Sequence, residues 1–547
     1  MELGEIIGML IDQWKSYPRP VERLISAIGI DVHWTILQYV MGLPFMAFIA
    51  QLIYLKTKDR FWLSLARTLV KGFVIVFAVG AATGTTAEFG LILLWPGFLE
   101  IGGKFIFFPF YAEIYAFLME AIFVYFLYYG WFKVGDKARL LLTALVFTGA
   151  WYSGAMIMAV NSYMVTPTGI EPAYDPSTGS MLYAQGYPKI ELAIPANLSE
   201  AFNPEWLEAN YITIEGGEDG VIAKIPARLV YRLFWEASKG YTISQSILWD
   251  GITQEYRQEL GGVEVSDVLD WILYETTSIQ DPLLYPLKSP SWPASVMHVT
   301  GAALAVSGYT VMGAYALRIV ARAGDRSRAY RALRFATLYT LVVMLVQGIV
   351  FGHEMGVEVA HYNPEKFAAM EGTSRLIISI PRDVMAGLGE KLAALLAYGS
   401  LDKPLPDYDS IPRDWCSFAG SPVSDCRPPL IIHYAYYTKL GLSIALGAFT
   451  IALAARLTRG VEIGKGMLIA TAMSPLIAQA VSFLGWFVRE AGRKPFTVYG
   501  LFTPAEAGNP AGPNMLQLGL VGVYLIAMLG ILAWASYRFL WKSGGEG

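Results

Sequence analysis

Charge is scarce in this chain. Acidic and basic residues together fill 16% of its 547 positions, against about 25% in an ordinary soluble domain. That shortage excludes a soluble globular protein. Cysteine is scarcer still, with only Cys416 and Cys426, too few for an iron–sulfur cluster or a structural zinc site within one chain. Five histidines leave few side chains to hold a metal or a haem, so each histidine is informative. No basic excess is present either; the formal net charge is −4, which argues against nucleic acid as a partner. The first thirty residues lack the basic start and apolar core of a signal peptide, carrying Glu2, Glu5 and Asp12 instead. Within 1–30, Leu3, Ile6, Ile7, Leu10 and Trp14 recur at helical spacing, so an amphipathic helix on the outer membrane surface is expected.

What the chain does have is apolar length. Hydrophobic residues make up 55% and aromatic residues 14%. Runs near 31–55, 62–83, 106–131, 138–163, 295–319, 334–352, 433–455, 466–489 and 516–540 each approach the ~20 residues that a bilayer requires. The expected fold is therefore an all-α polytopic bundle of nine transmembrane helices in the cell membrane. Basic clusters follow every odd-numbered run: Lys56, Lys58 and Arg60; Lys133, Lys137 and Arg139; the six arginines from Arg318 to Arg334; Arg456, Arg459 and Lys465; Arg538 and Lys542. The positive-inside rule then places those ends in the cytoplasm, with the N-terminus outside and the C-terminus inside.

This topology divides the chain into the surface helix 1–30, spans 1–4 in 31–164, an extracytoplasmic insertion at 165–292, spans 5–6 in 293–352, a second outer segment at 353–432, and spans 7–9 in 433–547. The insertion is rich in Pro, Gly, Tyr and acids, and amphipathic pieces near 227–239 and 264–274 are expected to be helical. Cys416 and Cys426 fall in the outer segment 353–432, where a disulfide is expected.

The ionisable residues of the spans share one leaflet. His33, Glu88, Glu113, Glu120, His298, Lys439, Glu490 and Arg493 all lie in the outer halves or at the outer ends. Charges there are costly and need partners, so one convergent site is expected. Two histidines at matching depth on separate helices suit haem iron; each alone reads equally well as an interfacial histidine. Glu113 and Glu120 face one side of a helix and could pass protons, or could bridge to other helices. Glu88 could cap a loop, Arg493 and Lys494 could anchor lipid headgroups, and the aromatic run from Phe105 to Tyr115 reads as an interfacial belt.

One stretch is specific. Gly485-Trp486-Phe487-Val488-Arg489-Glu490-Ala491-Gly492-Arg493-Lys494-Pro495-Phe496 closely resembles the signature of subunit I of cytochrome bd quinol oxidase. Arg23, His33, Ala82-Thr83-Gly84, Glu88-Phe89-Gly90, the third run from Glu113 to Trp131, His298 and the loop after the sixth run extend the resemblance over most of the chain, the insertion excepted. The resemblance implies a nine-helix haem-carrying subunit of a terminal oxidase. Such an enzyme oxidises quinol at the outer face, reduces O2 to water and separates charge across the membrane.

In that family's terms, His33 looks like the axial ligand of one haem of the oxygen site, and Glu490 like the carboxylate ligand of the other. His298 resembles a ligand of the low-spin haem b. Arg493 would neutralise haem propionates, with Trp486 beside it. Glu113 and Glu120 resemble the carboxylates that guide protons. Lys366 and Glu371, in Asn363-Pro364-Glu365-Lys366-Phe367-Ala368-Ala369-Met370-Glu371, match the quinol-binding Lys and Glu. The implied cofactors are low-spin and high-spin haem b with haem d or a second high-spin haem b. The implied partners are subunit II or a paralogous second large subunit, a one-helix accessory chain, lipid, quinol and O2.

The chain departs from the family pattern in four places. Glu113 and Glu120 stand one position closer together than in the family. The insertion is far longer than the usual loop. Phe496 replaces the signature Trp. Tyr436-Tyr437-Thr438-Lys439 stands where the family supplies a methionine to the low-spin haem, which makes Lys439 a candidate replacement ligand. A non-catalytic paralogue and a haem-free proton-coupled transporter are the alternatives.

Overall fold

The computed structural model describes residues 19–171, 174–181, 186–217, 220–277, 282–371, 382–415, 425–513 and 515–537, besides Gly4 and Gly8. The surface-helix residues Leu3 to Trp14, Cys416, and the terminal Arg538 and Lys542 therefore lie outside the described residues.

In hydrocarbon every backbone N–H and C=O must be satisfied within its own segment, so long apolar runs become helices. Four come first: α1 (Pro20–Thr57), α2 (Arg60–Leu94), α3 (Pro96–Gly130) and α4 (Asp136–Val165). Proline opens α1 and α3, where a missing N–H costs nothing. Asp59 caps α2 by accepting from the Phe61 amide at 2.9 Å. After the insertion come α7 (Trp292–Val320) and α8 (Arg326–Tyr362); the outer segment follows, then α11 (Ile431–Thr458), α12 (Lys465–Ala491) and α13 (Met515–Ser536). Among the described residues nine helices are long and apolar enough to cross a membrane, as the sequence indicates. The sixth outruns its expected end at 352: a π-helical turn over Gln347–Phe351 interrupts α8, and the helix then runs on to Tyr362.

Helix α1 packs on α2, α4 and α7; α7 packs on α8 and α12; α11 joins α8 to α12. Close approach of α1 to α7 depends on Gly42, where a Cβ would lie 2.1 Å from Ser307 Oγ. That hydroxyl donates to the Gln38 carbonyl at 2.9 Å. Small residues and interhelical hydrogen bonds supply the attraction that apolar contact alone cannot provide in lipid.

The insertion is a folded unit, and part of it is β-structure that the sequence reading did not include. Strand β1 (Lys189–Ile194), β2 (Thr213–Gly217) and β3 (Gly220–Pro226) form an antiparallel sheet in the order β1-β3-β2. Lys189 pairs with Pro226 through to Ile194 with Val221, and Thr213 with Lys224 through to Gly217 with Gly220. Ile190, Leu192 and Ile194 point inward while Glu191 points out, the alternation of a half-buried strand. On the outer face Lys224 reaches Glu171 at 3.0 Å and its cross-strand neighbour Glu191 at 3.4 Å. Helices α5 (Ala227–Ser238) and α6 (Val265–Thr277) occupy the two expected amphipathic pieces.

A large apolar core joins this unit to one end of the bundle. The charged tie is Arg228 of α5, which grips Glu506 with two bonds of 3.0 and 2.7 Å and also donates to the Leu501 carbonyl at 2.7 Å. In the outer segment, α9 (Pro364–Glu371) and α10 (Arg382–Tyr398) cover the same end. Cys426 is disulfide-bonded and buried.

The Arg228–Glu506 pair is nearly closed to water, with side-chain exposures of 6% and 18%. Removing one partner of such a pair leaves an unpaired charge and costs on the order of 3 kcal/mol. Arg228→Met is expected to lower the melting temperature and open the 165–292 unit to limited proteolysis before the spans. Wild-type proteolytic resistance would show that the apolar contact alone docks the unit.

Candidate functional site

The signature stretch ends α12 and turns back through Pro495. Helical spacing brings Arg493 onto Glu490, donating through Nη2 at 2.6 Å and Nε at 3.2 Å. Asn161 of α4 donates to the other carboxylate oxygen at 2.7 Å. Arg489 donates to the Asn161 amide oxygen and to Ser162 Oγ at 3.2 Å, and its Nη1 lies 3.9 Å from Met355 Sδ. Arg493 turns its other amine to the Phe496 and Thr497 carbonyls. Five bonds thus pin one carboxylate and two guanidinium groups to α4 and to the loop after α12.

The two histidines stand on different helices, each with one ring nitrogen engaged. His33 Nδ1 lies 3.0 Å from Thr83 Oγ1, and its ring rests on Gly84, where a Cβ would sit 2.9 Å from Cε1. His298 Nδ1 lies 3.3 Å from the Phe351 carbonyl and 3.2 Å from Gln347 Nε2, both in the π-helical turn. In each ring Nε2 is the remaining nitrogen. Next to His33, Trp34 stacks on Trp486 at 5.8 Å and donates to Ser482 at 2.9 Å. Lys439 lies along Gly485, which precedes Trp486. The charges of Lys439 and Arg489 both act on His298.

The expected carboxylates do not all face the same partners. Glu113 neighbours Glu88 and accepts from Ser153 at 2.9 Å. Glu120 is buried at 3% exposure against the α4 backbone at Gly149. Its Oε1 has no hydrogen-bond partner among the described residues. An unmatched buried carboxyl oxygen is an oxygen with room for a proton or a water.

Helix α9 carries the other expected pair and divides it. Lys366, 3% exposed, lies along Gly492 toward the Glu490 cluster. Glu371, five positions on, turns away and accepts from Tyr437 of α11 at 2.8 Å. Burial, followed by the positive charge of Arg489, pushes the Lys366 ammonium down to about 7. Burial raises the Glu371 carboxyl. Immediately before Lys366, Glu365 is 1% exposed and accepts from Tyr499 at 2.6 Å and Tyr187 at 3.4 Å. The two phenols lie 3.2 Å apart. Burial and the Glu365 charge hold both far above the usual phenol range, so they act as hydrogen donors. Tyr187 enters the sheet of the insertion, so this contact ties the insertion to α9.

Sequence reasoning missed Asn161, Gln347 and Asp31 as members of this site, and it left Thr83, Arg489 and Glu365 without roles. Arg489 and Glu365 lay inside the quoted motifs. Asn161 and Gln347 gave no sequence signal, since an amide in an apolar run has many uses.

Haem fits this donor set. Arg489, Arg493, Lys366, Lys439 and Lys494 gather around Glu490 and Asp31. Among the described residues Glu490 pairs with Arg493, and no carboxylate comes within ion-pair distance of Lys366 or Lys439. Excess positive charge in apolar surroundings is costly unless an anion joins it, and the propionates of a haem are such anions. The two imidazoles are each oriented through Nδ1, which leaves Nε2 as the nitrogen that could hold a haem iron.

Nine spans, with ionisable side chains buried at one end of the bundle, define a multi-pass cell-membrane protein with an internal polar site. The chain belongs to the cytochrome bd terminal oxidase subunit I family, whose profile matches residues 21–190 and 270–544. The unmatched residues between them are the middle of the insertion. A curated relative, the putative cytochrome bd menaquinol oxidase subunit I of Bacillus subtilis, is 37% identical over 131 residues, 24% of this chain and 30% of that one. The cytochrome bd-II ubiquinol oxidase subunit 1 of Escherichia coli is 33% identical over 150 residues, 27% of this chain and 29% of that one. The chain thus aligns with less than a third of the length of these relatives. The bd oxidase structure from Geobacillus thermodenitrificans superposes with a TM-score of 0.64 at 18% identity, covering 94% of this chain and 96% of that one. That likeness establishes the fold.

Replacing the hydrogen-bond partner of a metal-ligating histidine typically weakens metal retention roughly 10–100-fold. Thr83→Val is therefore expected to lower the haem content of the purified protein while its thermal melt stays near wild type, read by haem extraction. Unchanged haem content would remove His33 from the ligand set.

Proposed function

We propose that the chain is the haem-carrying subunit of a bd-type quinol:oxygen oxidoreductase. The observation that carries this reading is the buried grouping of Glu490, Arg493, Arg489 and Lys366, with His33 and His298 on neighbouring helices each presenting one ring nitrogen. Haem, when bound, supplies the redox-active iron and the place where O2 is reduced. His33 and Glu490 would ligate the two high-spin haems, one haem b and the other haem d or a second haem b. His298 would ligate the low-spin haem b. Arg493 and Arg489 would take the propionates, and Trp486 stacked on Trp34 would form an apolar wall that excludes water.

The chain's own residues account for the substrate and proton steps. Lys366 donates to a quinol oxygen, and Glu371, raised by burial, accepts the quinol proton. Glu113 and Glu120 hold protons bound for the oxygen site. With the N-terminus outside and the C-terminus in the cytoplasm, quinol protons leave at the outer face and consumed protons come from within. Each charge so separated is worth roughly 2.3 kcal/mol per 100 mV. A path from the cytoplasm needs more polar groups than this chain supplies, so subunit II or a paralogous large subunit completes it, with a one-helix accessory chain as a further partner. A second reading, a paralogue that keeps haem but does not turn over, is favoured by one observation: Lys439 stands where the family places a methionine, its side chain along Gly485.

A reduced-minus-oxidised spectrum with haem extraction tests the proposal. Bands of haem b with haem d or further high-spin haem b are expected, and His33→Ala and Glu490→Ala each deplete the high-spin signals. A folded complex without haem would leave the transporter alternative.

Lys366 adds a pH dependence whose sign follows from its depressed pKa. The folded protein releases this proton near 7 and the unfolded chain near 10.5. Between those values the unfolded state binds more protons, so this group makes stability rise with pH; below 7 the cost of its buried charge is fully present. In turnover the sign is opposite, because deprotonation removes the hydrogen donor. The KM for quinol is expected to rise as pH passes through 7, and Lys366→Gln to raise KM and flatten that profile. An unaltered profile in Lys366→Gln would exclude Lys366 from quinol binding.

A further inference from the structure

At the opposite end of the bundle from the candidate site, four segments converge on a cavity of about 920 Å³. Its wall is the C-terminal turn of α7 with the linker to α8, the start of α8, the end of α11 and the linker into α12. Five cations line it: Arg318, Arg322, Arg326, Arg456 and Lys465. One carboxylate, Glu462, lines it with them, and its contact with Arg326 is long at 3.5 Å and exposed at 84% and 68%. Such a pair neutralises little. The floor is apolar and buried, made by Ile319, Ala329, Ile463 and Leu468.

Basic helix ends are ordinary at a membrane surface, but the other ends on this face are arranged differently. Lys58 and Arg139 both pair with Asp136, at 3.9 and 3.2 Å. Arg331 pairs with Asp59 at 2.5 Å. There each cluster carries its own acid; here Arg318 lies over the Tyr315 ring and Arg326 over the Tyr330 ring, and Arg322, Arg456 and Lys465 line the cavity with them around one exposed carboxylate. The turn that presents Arg322 is a left-handed helix end of the kind that also presents Lys58. Arg322 holds a left-handed φ of 54°, fixed by the Arg322 amide donating to the Ile319 carbonyl at 3.3 Å and the Ala323 amide to Arg318 at 3.0 Å. A non-glycine residue in that region is uncommon.

We propose that this cavity binds the multiply charged phosphate headgroup of an anionic phospholipid. The arginine forks match phosphate oxygens in pairs, and basic pockets between membrane helices are suited to such headgroups. The position of the cavity at the ends of four membrane-spanning helices, where bilayer headgroups lie, favours an amphiphile over a soluble phosphate. The site is independent of the haem and quinol assignments.

The test uses the purified complex in detergent, titrated with a diphosphate tetra-acyl phospholipid, phosphatidylcholine or inorganic pyrophosphate, and read by native mass spectrometry and thermal melting. The diphosphate lipid is expected to bind and raise the melting temperature, with phosphatidylcholine and pyrophosphate far weaker. At roughly fivefold per cation near the surface, removing two cations should weaken binding by about thirtyfold. Arg322→Asn tolerates the left-handed backbone, and Lys465→Gln is at the exposed first position of α12, so Arg322→Asn/Lys465→Gln should melt as wild type without lipid. Arg456→Gln serves as a second variant. Equal binding of phosphatidylcholine, or wild-type affinity in both variants, would overturn the proposal. Pyrophosphate binding as tight as the lipid would overturn the amphiphile assignment.

Discussion

The constraint on which the rest of this structure depends is the cost of charge in an apolar bundle. A carboxylate buried among spans survives only with hydrogen-bond donors around it. Glu490 has them from two directions: Arg493 from its own helix and Asn161 from α4. Arg489 then binds the same Asn161 and Ser162. Because these bonds join α12 to α4, the site cannot be assembled unless both helices are in register. The same bonds leave the local charge positive, through Lys366 and Lys439, and an anionic cofactor is the natural complement.

A second consequence is the cap over this end. The insertion contributes Tyr187 to the bracket around Glu365 and Arg228 to the pair with Glu506. Glu365 neighbours Lys366 on α9, so the position of Lys366 depends on contacts made by a unit that the family profile leaves largely unmatched. The long insertion thus acts as a brace for the outer segment. Its own fold follows the ordinary rule for a half-buried sheet, with Ile190, Leu192 and Ile194 inward and the Lys224 ion-pair cluster outward.

Legibility varied with the kind of signal. The nine spans could be read because hydropathy acts over twenty residues and needs no partner. Helices α5 and α6 could be read from their 3.6-residue periodicity. Strand β1 could have been read as well: Lys-Ile-Glu-Leu-Ala-Ile alternates at period two. Strands β2 and β3, which complete the sheet, carry glycine at their hairpin end and so give a weaker alternation. The run-on of α8 to Tyr362 was hidden, since His353, Glu354 and Glu358 look like loop residues when their neighbours are unknown.

By itself the sequence determined the class of protein, the number of spans and the residue types available for chemistry. Those depend on composition and on short motifs, and both are local. Only the tertiary structure decided which of those residues meet. Lys366 turns toward Glu490 while Glu371 turns to Tyr437, and Glu113 meets Glu88 while Glu120 stays without a bond at Oε1. The partners come from helices 40 to more than 300 residues distant in the chain, and no local pattern encodes a contact made across that separation.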